Sequence, residues 1–419
     1  MALRQMRAWV ALLTQGFDAL RIRNYRFYWF GQLVAFTGRW MQTTALAWLV
    51  IELTRSPLAI GLVTTFQFLP LMALSLFGGV IADRFPKHRL ILIMQVAATI
   101  QAVILGGLVL TNLITIELVY LLAFVQGVIN AVDNPVRQTF VGEIVGRERL
   151  QNAVALNSMQ FNIARIFGPA VAGVVVAQAG VAPALLISAV GFVGAAISLL
   201  IMDRSAITAT PPKAQSSVVA QLTEGISYAW RTPSVLLVLI VVAAIGTFGY
   251  NFTVVLPLLA GFVLKTDAVG LGTLSACMGA GSLAGAIGTT YARSISPQRL
   301  LIASAAFSIL LGLTALTTNF ALACGLLVIL GFFGVTFATT ANTLLQTTVP
   351  DALRGRVISI YILLFVGSTP IGAFLIGVLS NAIDTQFALL ICAILCLVGV
   401  AIGWGYQRHH ERISAAAAS

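Results

Sequence analysis

Two arginines, Arg39 and Arg165, stand deep inside long apolar runs of this chain. An arginine at the middle of a bilayer costs about 3 kcal/mol unless it is paired or hydrated. Polar side chains recur around them at helical spacing. Gln126, Asn130, Asp133 and Arg137 fall on one helical face, and Ser158, Asn162, Arg165 and Pro169 fall on another. One further run offers Gln32, Arg39, Gln42 and Thr43, and another offers Thr336, Thr340, Thr343 and Thr347. Such rows are predicted to line a cavity or an interhelix contact rather than face lipid. No carboxylate is expected at the depth of either arginine. Asp133 reads as nearer a helix end, where Arg137 one turn on would be its partner. Three uses stay open for the arginines: holding an anion in a central cavity, satisfying helix-end carbonyls together with Asn162 and water, or, for Arg39, snorkelling outward. The predicted substrate wall is Arg39, Gln42, Gln126, Asn130, Asn162 and Arg165, faced by Tyr250, Asn251, Thr340 and Thr343.

Other chemistry finds little support. No Ser/His, Cys/His or metal-ligand constellation is spaced for catalysis, so an enzyme is not expected and no cofactor is implied. The four cysteines, Cys277, Cys324, Cys392 and Cys396, all fall in apolar runs. Cys392 and Cys396 share a helical face, but two thiols with no nearby histidine do not make a metal site, and they read as packing residues.

Two loops occur twice. Gly79-Val-Ile-Ala-Asp83-Arg84-Phe-Pro-Lys87-His88-Arg89 is echoed by Gly288 to Arg299, with Ala292 in place of the carboxylate. Asn134-Pro-Val-Arg-Gln138-Thr-Phe-Val141-Gly-Glu143 is echoed by Asn342 to Asp351. A long repeat in so apolar a chain points to two homologous membrane halves that open alternately to either side. Asp83 is placed to cap the positive N-terminus of a helix starting near 355, latching the halves together. Gly79 would allow close approach there, and Arg84, Lys87 and Arg89 would rest on acidic lipid. A solvated turn with purely topological charges is the alternative. Asp133, Arg137, Gly168 and Pro169 complete the predicted gating and coupling set. Pro169 bends its helix, either for packing alone or for movement.

The elements that must carry these residues are membrane helices. Hydrophobic residues make up 59% of the 419 and charged residues only 9%, against roughly 25% charged in soluble domains. Twelve runs approach the ~20 residues a bilayer crossing takes. They lie near 27–52, 57–82, 88–111, 115–137, 155–178, 182–202, 234–263, 269–292, 298–318, 320–347, 355–381 and 385–406. The fold class predicted is therefore an all-α membrane protein of two six-helix halves, 27–202 and 234–406. An N-terminal amphipathic segment (1–26), a polar linker (203–233) and a tail (407–419) flank them. Residues 8–20 are expected to lie along the membrane surface, as is a short amphipathic helix over 222–230.

The net charge of +11 would suit nucleic acid, but its distribution argues otherwise. All but four of the 24 lysines and arginines fall in the termini, the linker and alternate loops; the exceptions are Arg39, Arg55, Arg165 and Lys265. This positive-inside pattern sets both termini in the cytoplasm. No cleaved signal peptide is expected at the N-terminus.

Several motifs together resemble the major facilitator superfamily, and within it the enterobactin-exporter and macrolide-efflux branch called transmembrane secretion effectors. They are Arg23-Asn-Tyr-Arg-Phe through Gly31-Gln32, Trp40-Met-Gln42 with Ala47-Trp48-Leu49, Ser56-Pro57 through Gly61-Leu, and the Asp83 loop. Asn134-Pro-Val-Arg137-Gln138, Asn162-Ile-Ala-Arg165 with Gly168-Pro169, and Glu224-Gly-Ile-Ser-Tyr-Ala-Trp230 follow. The resemblance implies a bacterial inner-membrane exporter that works by alternating access, driven by protons and active as a monomer. One departure touches coupling. Antiporters of the superfamily often carry an arginine four residues before the Gly of a Gln-Gly pair, and here Ala123 precedes Gln126-Gly127. Asp83, Asp133 and Glu143 remain as candidate proton sites. An anionic or polyphenolic substrate such as a siderophore is favoured, because no central carboxylate is expected to attract a cationic drug. A neutral multidrug or macrolide pump, and a membrane scaffold or sensor, are the alternatives.

Overall fold

The computed structural model describes residues 16–207, 218–290 and 295–418, apart from the side chains of 75–84, 218–222, 290, 352 and 413–418. The described chain is all helical. In order, the long helices are α1 (Arg23–Thr54), α2 (Pro57–Arg84), α3 (Lys87–Leu110), α4 (116–145), α5 (147–179) and α6 (Val181–Ile201). A linker helix, Val218–Arg231, precedes α7 (Pro233–Val263), α8 (Ala268–Thr290), α9 (Pro297–Leu316) and α10 (Phe320–Thr348). The helix α11 comes in two segments, Asp351–Phe365 and Thr369–Ala382, and α12 is Thr385–Ala418. Starts are marked by Pro57, Pro233 and Pro297, whose missing N–H costs nothing in a first turn, and by Ser296 and Asn319, whose side chains accept from Arg299 N and Leu322 N.

Among the described residues, ten stretches are long and apolar enough to cross a membrane. One of the ten covers Ile116–Ala179 without interruption. Its 64 residues would span about 96 Å as a straight helix, three bilayer cores, so the chain has to turn. It does so at Gly146, whose φ of 71° and ψ of 178° suit only glycine. Contacts with α1 show the reversal. Tyr28 meets Phe140 and Arg39 meets Asp133, so α4 runs antiparallel to α1. Tyr25 bonds Ala153 O, Trp29 bonds Leu156 O and Trp40 meets Phe161, so α5 runs parallel to it. The expected loop over 138–154 is thus helical on both sides of one residue. The tail expected from 407 likewise continues α12 as helix. The expected surface segment 8–20 falls largely outside the described residues; what is described is a short 3-10 turn, Asp18–Arg21, packed through Ala19.

Two helices are broken. Within α7, π-turns at Ile245–Gly249 and Leu259–Val263 flank a gap at Tyr250 and Asn251. The Asn251 amide donates to Thr247 O at 2.6 Å, filling an acceptor that the break leaves open. The segments of α11 separate at 366–368.

Membrane helices gain little from hydrophobicity against one another, so small residues and close packing hold them. The first six helices interlock in this way, as do the last six. Between the two groups, the contacts among the described residues gather on one side and toward the middle. A Cβ on Gly61 of α2 would lie 2.6 Å from Ala373 O of α11, and one on Gly173 of α5 would lie 2.6 Å from Ala268 O of α8. The Thr65 hydroxyl reaches Pro370 O at 3.2 Å. These residues sit near the ends of α5 and α11 and the starts of α2 and α8. On the opposite side, where the basic loops cluster, α10 and the first segment of α11 make no extended packing with α4 or α5. The groups therefore splay apart toward the basic side.

Candidate functional site

The charged centre of the molecule lies within the first six helices. Arg39 Nη2 donates to Asp133 Oδ2 at 3.0 Å, and Arg137 Nε donates to the same oxygen at 2.6 Å. Asp133 is 1% exposed. The expectation that no carboxylate lies at the depth of Arg39 is corrected: α4 extends past its expected end at 137, which carries Asp133 about three turns into the helix. The Phe36 ring lies beside both guanidinium groups, its centroid 5.7 Å from the guanidinium carbon of Arg39 and 5.5 Å from that of Arg137, so its π system offsets part of their burial. Among the described residues, Asp133 Oδ1 and Arg39 Nε have no hydrogen-bond partner, and beyond Asp133 the Arg137 guanidinium has the Tyr28 hydroxyl as its neighbour. One carboxylate thus answers two guanidinium groups, and the cluster keeps a positive excess.

Other predicted wall residues are drawn into packing. Gln42 is buried and donates to Gln101 Oε1 at 2.7 Å, while Gln101 donates to Leu122 O, joining α1, α3 and α4. Asn251 is consumed by the break in α7. Thr340 is buried and donates to Thr336 O of its own helix. Gln42, Asn251 and Thr340 are thus buried, each with a hydrogen bond inside its own half. Gln126 is buried and donates to Asn130 Oδ1. Tyr250 is half-buried in an aromatic cluster with Phe252, Phe307 and Phe365. Gly168 abuts Trp40, and the Pro169 carbonyl abuts Gly272 of α8, so the Gly-Pro pair packs α5 against both groups of helices.

Four of the predicted wall residues remain partly accessible. Asn130, Asn162, Arg165 and Thr343 are half-buried, on helices whose basic-side ends diverge. Asn162 donates to Ser158 O and Thr343 to Thr339 O, one turn back in each case. Arg165 forms no hydrogen bond or ion pair with any described residue. Its backbone carbonyl lies beside Gly279 of α8, at the seam between the two groups.

At the predicted latch, the side chains of Gly79, Asp83 and Arg84 lie outside the described residues. Lys87 does not rest on lipid as expected. It is buried and donates to Glu143 Oε1 at 2.5 Å, joining the start of α3 to the end of α4. His88 is also buried, with Nε2 2.8 Å from Leu199 O. Sequence reasoning also missed a narrow, partly open crevice between α1, α2 and α7, which Thr43, Thr64, Gln67 and Thr253 line together with five aliphatic residues of α1 and α2. Gln67 stood out in the sequence only as a lone amide in an apolar helix.

A two-group bundle of apolar helices, open on one side and carrying polar rows within, defines a multi-pass membrane transport protein. The chain belongs to the transmembrane secretion effector family of major facilitator transporters, whose model matches residues 14–417. It is 25% identical to the staphyloferrin A transporter of Staphylococcus aureus over 383 residues, which cover 90% of this chain and 94% of that one. It is 25% identical to the multidrug efflux pump Tap of Mycolicibacterium fortuitum, covering 88% and 93%. It is 26% identical to the enterobactin exporter EntS of Escherichia coli, covering 83% and 84%. The fold matches that of a bacterial homologue of the human lysosomal transporter Spinster, solved inward-facing and unoccupied, with a TM-score of 0.71 at 14% identity, covering 92% and 97%. These relatives and structural neighbours are transporters, not enzymes.

Proposed function

We propose that this protein exports a small anionic or polyphenolic molecule of the siderophore type from the bacterial cytoplasm, by alternating access and at the expense of the proton gradient. In this reading the chain crosses the inner membrane twelve times as two six-helix halves, 27–202 and 234–406. The ten apolar stretches become twelve when 116–179 is divided at Gly146 and α1 is added. The less apolar α1 is admitted because its polar side chains turn into the bundle. Both termini are cytoplasmic, on the side of the basic loops, and one chain suffices as the working unit.

The observation that carries the substrate class is Arg165. Arg39 and Arg137 are committed to Asp133, whereas Arg165, half-buried beside the α5–α8 seam, has no anion among the described residues. An uncompensated guanidinium at a hydrated site inside a membrane favours carboxylate or catecholate groups. Siderophore transport by two of the relatives supports the same class. Proton coupling is harder to assign, because Asp133 and Glu143 are both bound to cations. A proton can reach either one only as its pair parts.

The test is transport in proteoliposomes with three probes: a catecholate siderophore, a citrate-type siderophore and a cationic dye. Arg165→Ala is expected to abolish siderophore movement with protein still folded in the bilayer, and Arg165→Lys to retain part of it. Undiminished siderophore transport by Arg165→Ala would overturn the charge argument. A second reading, a pump for neutral drugs, draws on the aliphatic lining of the α1–α2–α7 crevice and on the likeness to Tap. It predicts drug transport indifferent to Arg165.

A further inference from the structure

The linker helix presents two different faces. Gly225 and Ala229 are buried. A Cβ on Gly225 would lie 3.0 Å from Ile360 Cδ1 and 3.1 Å from Arg356 Cβ, so this face lies flush on the first segment of α11. Glu224 adds an ion pair to Arg356 at 2.5 Å. The other face carries Ile226 and Trp230, one turn apart. Trp230 is 69% exposed, more than any other large apolar side chain described. Arg231, also exposed, follows it, and α7 begins at Pro233. Trp230 therefore lies within a turn of the start of an apolar membrane helix, at the depth of the membrane–water boundary. It lies on the side where the chain's basic residues gather.

We propose that the linker helix is a lipid-held tether on the gate. Ile226 and Trp230 seat at the boundary between headgroups and acyl chains, Arg231 lies on anionic headgroups, and Glu224 and Gly225 tie the first segment of α11 to that surface. Tryptophan, with an apolar ring and a polar N–H, is suited to that boundary. A cation beside it gains from the negative potential of anionic lipid. The tied segment is the part of α11 that is not packed on the first six helices. The other segment is held against α2 through Gly61, Gly377 and Thr65, and the break at 366–368 separates the two. The bilayer thereby gains a grip on the element that has to cross the opening when the basic side closes. This rests on the alternating-access reading above and stands whatever the substrate proves to be.

The full chain in nanodiscs, with neutral or anionic phospholipid brominated at shallow or deep acyl positions, provides the test. The fluorescence lost in Trp230→Phe isolates Trp230 from the other five tryptophans. That component is expected to be quenched most by shallow bromines, less by deep ones and least by aqueous acrylamide. Arg231→Glu should lose shallow quenching in anionic lipid only. Dominant acrylamide quenching would overturn the anchor, and so would shielding from both quenchers, which would mean a protein partner or a second copy covers the face. For the tether, hydrogen exchange across 351–365 should rise in Glu224→Arg and fall back when Arg356→Glu is added. Exchange unchanged in Glu224→Arg, or not restored by the added swap, would overturn it.

Discussion

At the scale of single residues, Asp133 is the position on which most depends. It receives two guanidinium groups on one buried oxygen. Removing one partner of a buried ion pair typically costs about 3–5 kcal/mol, because the charge left behind has no solvent. Asp133→Asn leaves two such charges. It is expected to lower the midpoint of thermal unfolding in detergent sharply, and more than Arg39→Gln, which leaves the Arg137 pair intact. Arg165→Ala, removing a side chain that binds nothing described, should leave the midpoint near wild type. Equal losses for all three would show that the cluster holds no special stability. Part of this was legible in the sequence. Asp133 and Arg137 sit one helical turn apart, and that spacing exposed their pairing. The Arg39 contact was not legible, because the apolar run gave out near 137 and made Asp133 look shallow, while the helix itself continues through a polar stretch to 145.

At the scale of elements, the same polar stretch explains what sequence reading misplaced. Apolar runs mark where helices meet lipid, so the cores of the long helices could be read directly. Residues 138–154 are polar because they project beyond the bilayer core, and polarity there says nothing against helix. The one residue that breaks the helix is Gly146, at φ 71° and ψ 178°. That conformation costs other residues about 1–3 kcal/mol. Gly146→Ala is expected to lower stability by that order, measured by unfolding in detergent. Gly142→Ala, inside regular helix with its nearest neighbour, Leu150 Cδ1, 3.8 Å from the added methyl, should be neutral or slightly stabilising. Similar effects at both glycines would argue that 146 is not the point of reversal. The break in α11 has its own signature in Gly367-Ser-Thr-Pro370, since Pro370 opens the second segment and removes the bond back to residue 366; the break in α7 has none, since Asn251 looks in sequence like an ordinary polar residue of a membrane helix.

At the scale of the whole molecule, the two groups of helices are joined by small-residue contacts on the far side and separated on the basic side. Among the described residues, the joined seam is built mainly of small residues: Gly61 meets Ala373 and Gly377, and Gly173 meets Ala268. Such a seam is held chiefly by close packing, with the Thr65–Pro370 hydrogen bond added, so its strength should be tunable by single methyl groups without disturbing the charged cluster. A Cβ on Gly61 would lie 2.6 Å from Ala373 O and 2.8 Å from the Gly377 Cα, both rigid helix backbone. Gly61→Val is therefore expected to favour the conformation in which the far side opens and the basic side closes, with about a tenfold change in population for each 1.4 kcal/mol of strain. The reporter is the rate at which an aqueous thiol reagent labels Asn130→Cys, at a half-buried position of α4. Labelling should slow in the Gly61→Val background and recover little in Gly61→Ala, where one methyl already collides. If labelling is as fast in Gly61→Val as in its absence, the far-side seam does not control opening. The conformational balance would then have to be sought in the ion-paired ends of α3, α4 and α11, where Lys87–Glu143 and Arg356–Glu224 hold the basic side.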